Sequence, residues 1–419
     1  MLRKTCLLIF IAIFLVNCSS DADDLVIACN EVSNISSNSI TSNSAIATWD
    51  SDNTTALYTI EYGFSDFSLG SGTSISTSNT TLDLLSLDSN TTYDIYIQTN
   101  CSANNVSMFT EVYSFTTATP AVVPEFKPTL SELNLFLGDL SNLEPSSQAF
   151  EYTLNSTLFS DYSKKQRFIV LPVGETMTYN GDGLPLFPDN SLITKTFYYN
   201  NNETDLSLGK RIIETRILIK INGLWETGDY KWNDAQTEAV LDPSSSIVPV
   251  TWVDADGETN SINYQIPSDN QCFTCHRTGD VKRPIGPRLR TLNFNVDGVN
   301  QLQSLIDSQL LEGLINPSEV SVLPKWNDNS YSLEERTRAY LDINCAHCHT
   351  DGGYCETQSI LRLDYENDLL DSNIQARKAS IIFRVSSNFQ PGLTMPWIGT
   401  TILHDQGVEL VLEYLDTLE

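Results

Sequence analysis

The chain is short of positive charge. Among 419 residues, 24 are Lys or Arg against 53 Asp or Glu, a formal net charge of −29. That balance argues against nucleic acid or an anionic membrane surface as the main partner, because both are bound through an excess of cations. It suits a solvated acidic surface, or a basic protein partner. Histidine and methionine are scarce too, with four of each. Long apolar runs are nearly absent. The run from Cys6 to Val16 stands out, and it is too short to favour a membrane-spanning helix.

The scarce residues are not scattered. Two of the histidines close the segments Cys272-Phe273-Thr274-Cys275-His276 and Cys345-Ala346-His347-Cys348-His349. Both read C-x-x-C-H, the attachment pattern of haem c. The two thiols add across the vinyl groups of a haem, and the adjacent imidazole reaches the iron from the same turn. Two motifs therefore imply two haem c groups, held covalently by Cys272, Cys275, Cys345 and Cys348, with His276 and His349 on the irons. C-x-x-C alone also occurs as half a zinc site, a thiol redox pair or a disulfide. The long stretch between the pairs is awkward for a compact zinc ribbon, and no βαβ pattern points to a thioredoxin-like motif. A histidine directly after the second cysteine, twice, fits haem better.

The N-terminus reads as an address. Arg3 and Lys4 precede the apolar run, and Leu15-Val16-Asn17-Cys18 resembles a bacterial lipobox, with Asn17 departing from the usual small residue. The resemblance implies a lipoprotein signal peptide at 1–17 and lipid on Cys18. Residues 18–26 form an acidic tether similar to the export tags of some surface lipoproteins. The implied location is the cell envelope, as an outer-membrane lipoprotein facing the periplasm or the surface. Membrane contact would be through the lipid alone. Haem c is also matured outside the cytoplasm, so address and motifs agree.

Residues 27–119 alternate in short β runs: Ala45–Trp49, Tyr58–Tyr62, Tyr93–Ile97 and Tyr113–Thr117. Trp49, Leu87 before Asn90-Thr91-Thr92-Tyr93, and Phe115-Thr116-Thr117 resemble a fibronectin type III domain, which implies a corner role for Tyr93. Cys29 and Cys101 bracket this stretch and are expected to pair in an oxidising compartment. The stretch has no cluster of acid, base or nucleophile. It reads as a spacer or adhesion module.

Pro120, Pro124 and Pro128 mark a linker over 120–144, within which Leu130 to Leu143 suggests one helix. A β-rich domain follows at 145–270. Its runs are Arg167–Leu171, Leu192–Tyr199, Ile212–Ile221 and Ile247–Val253. Ile213, Thr215, Ile217, Ile219 and Ile221 give one apolar face opposite Glu214, Arg216 and Lys220, the pattern of a half-buried strand. Trp225, Trp232 and Trp252 read as core aromatics. The first haem c segment occupies 271–330, where Arg277, Lys282, Arg283, Arg288 and Arg290 concentrate basic charge. Arginine pairs with carboxylates in a planar fork. Arg277, Arg283, Arg288 and Arg290 are therefore candidates for haem propionates, or for a docking rim, or for plain solubility. Helical spacing then runs from Val299 to Leu314.

Residues 331–419 open with a capping box, Ser332 and Glu335, ahead of a helix over 333–343 that runs into the second motif. Met395-Pro396 and a last helix at 405–418 complete the segment. Helix, C-x-x-C-H, Met-Pro, helix resembles a class I cytochrome c, which implies Met395 as the ligand opposite His349. The sixth position of the His276 iron stays open between no protein ligand, His404, His347 and Met177. Cys355 is left over.

Leu158-Phe159-Ser160-Asp161-Tyr162 with Lys164 and Arg167, then Leu171-Pro172-Val173-Gly174, Lys195-Thr196-Phe197, Glu214-Thr215-Arg216 and Tyr230-Lys231-Trp232-Asn233 resemble an uncharacterised bacterial family of di-haem c-type cytochromes. The resemblance covers roughly 145–419. Members are often encoded beside a parallel β-helix protein, which makes one a candidate partner besides a redox protein. More loosely, a β domain ahead of C-x-x-C-H resembles small β-sheet haem proteins in which a lysine cross-links to the haem, and Lys195 is the nearest candidate.

The expected architecture is multidomain: an all-β fibronectin type III-like sandwich, a β-rich domain, and a mainly α class I cytochrome c-like domain with the second haem. The expected function is electron transfer by an exported, lipid-anchored di-haem cytochrome. Two alternatives stand beside it: a haem-dependent oxidoreductase with an open first iron, and a surface-binding protein whose haems are structural. The address carries its own test. Cys18→Ser should release the protein from the membrane fraction or leave an unprocessed precursor, and unchanged processing and fractionation would remove the anchor.

Overall fold

The computed structural model describes residues 28–53, 56–386 and 393–418. The signal segment 1–17, Cys18 and the tether 18–26 lie outside the described residues. The chain divides at Ala118 and Thr119 into two compact units. It is mostly β-sheet, and among the described residues no helix is long and apolar enough to cross a membrane.

The first unit holds β1 (Ser33–Asn38), β2 (Ser44–Asp50), β3 (Leu57–Phe64), β4 (Thr73–Thr77), β5 (Thr81–Leu85), β6 (Thr92–Ser102), β7 (Asn105–Phe109) and β8 (Tyr113–Thr116). One sheet runs β1-β2-β5, the other β4-β3-β6-β7, with β8 also on β6. Strand side chains alternate between faces, so Ala45, Ala47 and Trp49 point inward and meet Tyr58, Ile60, Ile95 and Ile97 in one core. The unit is therefore a β-sandwich. The Tyr93 hydroxyl accepts the Asp88 backbone N–H at 2.9 Å, the backbone tie that a tyrosine corner makes. Cys29 and Cys101 form a disulfide.

The second unit is built on a six-stranded antiparallel sheet: β9 (Ala149–Glu151), β10 (Lys164–Val170), β11 (Leu192–Asn200), β12 (Lys210–Ile221), β13 (Leu224–Trp232) and β14 (Ala239–Leu241), in that order. Both faces are covered. Phe168, Val170, Leu192, Ile217 and Ile219 pack under Leu130, Leu133, Leu135, Phe136 and Leu143. Residues 120–144, expected as a linker, thus supply one wall of the core. They do so without the expected helix. Two short 3-10 turns, Ser131–Leu133 and Leu140–Asn142, each stop at a residue in the left-handed conformation, Asn134 and Leu143.

On the opposite face Ile169, Ile193 and Leu218 meet Leu289 and Leu292 of α2 (Leu289–Leu292), Leu302 and Leu305 of α3 (Gln301–Asp307), and Ile343. The helix expected over 299–314 ends at Asp307, because Gln309 turns into positive φ and Leu311 pairs in parallel with Met177. A hairpin, β15 (Ser246–Val253) and β16 (Thr259–Ile266), closes the same side with Val250, Trp252 and Tyr264 on Phe197 and Tyr199.

Strand β12 corrects the half-buried reading. It lies inside the sheet and is buried on both faces, Glu214 fully so. A bulge opposite Phe197 and Tyr198 inserts Ile213 as the extra residue. Ile213 consequently leaves the face of Ile217 and Ile219 and joins Phe197 and Tyr264, while Ile212 takes its place.

Residues 331–419 carry α4 (Leu333–Asn344), α5 (Lys378–Ser386) and α6 (Asp405–Thr417), joined by long irregular segments. The expectation of a mainly α domain is not supported, since most of this stretch is loop. Its apolar centre is Tyr340, Leu341, Ile381, Leu410, Val411, Tyr414 and Leu415. α6 meets α4 at Gly407, where a Cβ would come within 2.2 Å of the Tyr340 ring.

Asp342 on α4 ties this segment to the sheet side. Its buried carboxylate accepts from Arg290 Nη2 at 2.7 Å, from both terminal nitrogens of Arg288, and from the Tyr365 backbone N–H at 3.0 Å. Asp342→Ala would leave Arg290 buried without that partner. It should destabilise the second unit by about 3–5 kcal/mol, read from denaturant unfolding.

Candidate functional site

The C-x-x-C-H segment at 345–349 hangs from the C-terminal end of α4. Ser332 and Glu335 cap the helix reciprocally at its start. At its end the chain tightens: Cys348 and His349 donate their backbone N–H groups to Cys345 O at 3.1 and 3.0 Å. Both cysteines and His349 thereby line one cavity of about 250 Å³. Leu341, Leu363, Ile381, Val385 and Trp397 give it an apolar lining, and Met395 stands on the wall with Arg377 and Arg384. The Met395 backbone N–H donates to Arg384 O at 3.0 Å, and the loop beyond it is pinned by Asp161, which accepts from the Thr401 N–H at 2.9 Å. His349 Nδ1 is buried without a hydrogen-bond partner.

The segment at 272–276 closes α1 (Asp269–Cys275), whose start is capped by the Gln271 side chain accepting the Ser268 N–H at 2.9 Å. His276 lies 3.0 Å from Arg283 O through Nδ1. That contact makes Nδ1 the donor and leaves Nε2 as the free lone pair, the usual way a metal-binding imidazole is oriented. Cys272 and His276 line a second cavity, of about 40 Å³, against the six-stranded sheet. The sheet supplies Arg167, Lys195, Arg216 and Asp229 to it.

The two segments meet. Cys275 lines the larger cavity together with Cys348. One ligand atom each of Cys275, His347 and Cys348 lie within 4.8 Å of one another. Residues far apart in the chain thus share one wall.

Burial sets the protonation of this region. It pushes the His276 imidazole down to about 3, helped by Lys195, and His349 down to about 4, helped by His347. Both rings are neutral at physiological pH, as a metal ligand requires. Burial pushes the Cys272 thiol up to about 11 and Cys345 up to about 12. Cys355 is raised above the usual thiol range, first by a hydrogen bond with Cys348.

A haem would be held by these donors, and their chemistry fits one at each motif: two protonated thiols and a neutral imidazole. Volume fits better at the second. Ligand pockets typically run to about 300–1,000 Å³, near the cavity beside His349 and far above the one beside His276.

Several sequence candidates are placed elsewhere. Arg288 and Arg290 line neither cavity and are taken up by Asp342, with Glu366 on Arg290 as well. Arg277 pairs with Asp280. Arg283 contributes its backbone carbonyl rather than its guanidinium. His404 lines neither cavity: it stacks on Phe159 at 4.3 Å, and its Nδ1 is 3.0 Å from the Tyr340 hydroxyl. Met177 is buried in the core around Ile169 and Leu302. Lys195, by contrast, stands at the cavity of His276.

Sequence reasoning missed the charged face beside His276. Arg216 read there as the polar face of a half-buried strand, and neither Arg167 nor Asp229 was given a place at the site. The available signal was that Arg167, Lys195 and Arg216 sit mid-strand in runs apolar enough to be central, where a polar face has no solvent to meet.

No protein-family model matches this chain, and a search of curated proteins finds no match. Solved structures that it resembles include the fn3 domain of human collagen alpha-1(XX) chain, at 20% identity over 26% of this chain and 97% of that one, TM-score 0.21. The fn3 domain of human contactin 1 aligns at 16% identity over 26% and 100%, TM-score 0.20. A redesigned β-sandwich protein aligns at 26% identity over 21% and 93%, TM-score 0.19. At such scores the sandwich rests on its own strand pairings.

His404 yields a pH test apart from the motifs. Burial, with Lys165, lowers its imidazole to about 4, although Asp405 opposes the shift. The unfolded ring takes its proton near 6.5. The unfolded state therefore binds the proton first, and stability present above about pH 6.5 is lost as pH falls toward about 4. His404→Phe should flatten that part of the profile, read from urea unfolding at pH 7 and pH 5.

Proposed function

We propose that this protein is an exported, lipid-anchored di-haem c-type cytochrome that transfers electrons. The supporting observation is the approach of Cys275, His347 and Cys348 to within 4.8 Å. Two attachment motifs brought edge to edge are what stepwise electron transfer between two groups needs. A haem held at each motif takes up and gives back one electron at its iron, at a potential set by axial ligand, burial and hydrogen bonds.

The chain's own residues have separable parts in this reading. Cys272, Cys275, Cys345 and Cys348 are the attachment thiols. Arg283 O fixes the tautomer of His276. Asp161 and Arg384 O hold the loop that presents Met395 to the cavity of His349, where a thioether and an imidazole would together give a haem the higher potential of the two. The pairing of α4 with α6 through Tyr340, Leu341, Leu410 and Val411 supports a class I cytochrome c-like arrangement, and the strand order of the first unit supports a fibronectin type III-like spacer. The redox partner fitted to this acidic chain is a basic one. A parallel β-helix protein remains the partner implied by family resemblance.

A second reading is favoured by the cavity beside His276. Among the described residues, no methionine and no second histidine line it. An iron there without a strong sixth ligand could bind a small exogenous molecule, which would make the protein an oxidoreductase fed or drained by the other haem.

Mass spectrometry of the matured, unfolded protein should show two haem additions; one or none sinks the di-haem reading. A spectroscopic redox titration should resolve two steps. Met395→Ala should lower the higher potential and abolish the near-infrared band of a thioether-bound ferric iron. Rapid carbon monoxide binding at one reduced haem would favour the oxidoreductase, and none at either would favour the pure carrier.

A further inference from the structure

Four strands of the large sheet set charged side chains directly opposite one another. Arg167 on β10 faces Lys195 on β11, Lys195 faces Arg216 on β12, and Arg216 faces Asp229 on β13. Directly opposed side chains stand about 5 Å apart at Cβ, and like charges so placed repel. All four residues line the cavity that also contains Cys272 and His276. Ile169, Ile193 and Leu218 border the row on one side. Phe197 borders it on the other, with Lys195 Nζ at 4.9 Å and the Arg216 guanidinium at 4.5 Å from its ring centre.

The charges in the row do not balance. Glu214 takes up Arg216 with two hydrogen bonds, at 2.9 and 2.6 Å. Tyr264 donates to the same Glu214 carboxylate at 2.7 Å, so that acid is fully used. Burial and the neighbouring Glu214 hold the Asp229 carboxyl well above the usual range, and it lies 3.9 Å from Arg216 Nε, whereas burial beside Arg167 and Arg216 holds the Lys195 amine well below its usual range, a shift that an anion in the row would relieve. Arg167 is 5% exposed, and its Nη2 is buried with no hydrogen-bond partner. Among the described residues no carboxylate lies within ion-pair distance of Arg167 or Lys195. A buried guanidinium normally has a counter-charge, because desolvating it alone is expensive.

We propose that the Arg167–Lys195–Arg216 row is a binding site for a carboxylate or another small planar oxyanion, held beside His276. The guanidinium fork matches a planar two-oxygen group, and the lysine adds a point charge. The cavity of about 40 Å³ admits a group of a few atoms and excludes a larger anion. Two sources carry that chemistry. One is a propionate of the haem on Cys272 and Cys275, which rests on the reading above. The other is a dissolved anion of the size of formate or nitrite, admitted next to the iron. The row would then do what the Arg288 and Arg290 loop, occupied by Asp342, does not.

The experiment uses the full-length matured protein with Arg167→Gln, Lys195→Met, Lys195→Arg, and Arg211→Gln as a control at the exposed Asp234 pair. A mass count of haem comes first. Absence of haem on the first motif overturns the haem reading and leaves the row to be decided by anion binding alone. Each protein is then melted in sodium formate against sodium chloride at equal ionic strength. A saturable formate-dependent rise in melting temperature identifies the dissolved source. It should weaken about tenfold or more in Arg167→Gln and Lys195→Met, recover in Lys195→Arg, and stay unchanged in the control. With no formate response, a lower reduction potential of the His276 haem in the same two variants, absent in the control, identifies the propionate source, because a carboxylate stripped of its cation favours oxidised iron. Neither response overturns the proposal, with or without haem attached. The formate melt of the unsubstituted protein requires no variant to fold.

Discussion

The most deeply buried tie between the regions of the two cysteine motifs is one carboxylate. Asp342 sits three residues before Cys345, on the last turn of the helix that delivers the second motif. Its partners, Arg288 and Arg290, lie on the loop that follows the first motif. Asn344 reinforces the tie by accepting the Phe159 backbone N–H at 2.8 Å. A buried charge has no cheap alternative arrangement, so the helix cannot slide along the sheet without leaving Asp342 buried and unpaired and taking that partner from both guanidinium groups. The loop's dense basic character follows from this. Its last two cations, Arg288 and Arg290, serve the architecture.

The sequence was most legible where one local rule decided the outcome. Ser332 and Glu335 announce a helix start by reciprocal capping, and α4 begins there. The runs at 45–49, 58–62 and 93–97 carry apolar residues at every second position, and each lies inside a strand of the sandwich. The motif residues themselves are legible from spacing alone. Legibility failed where tertiary context overrode a local signal. Prolines at 120, 124 and 128 looked like a linker, yet the leucines after them found a sheet face to cover. His404 looked like a free ligand only because the aromatic rings of Phe159, Trp326 and Tyr340 come from distant segments. The larger cavity has a similar history. Its walls come from α4, α5 and the Met395 loop, and no single stretch of sequence contains it.

The charged face of the large sheet shows the same limit from the energetic side. Alternation tells which residues share a face and is silent on what that face meets. Glu214 and Arg216 satisfy each other, which is why a strand with charged positions can lie in the interior at all. Phe197 contributes by offering its ring to neighbouring cations, a weaker but desolvation-tolerant partner. The sheet therefore has one face that is apolar throughout and one on which an apolar core and a charged row lie side by side.

Ile213 adds a rule of counting. A strand records the face of each residue as odd or even, and the bulge reverses that record partway along β12. Before it, the even position 212 packs with Leu130 and Leu133; after it, the odd positions 217 and 219 do. Which of the two cores a residue of this strand enters therefore follows opposite parities on the two sides of the bulge. A single alternation rule applied to the whole strand would place Ile212 in the wrong core.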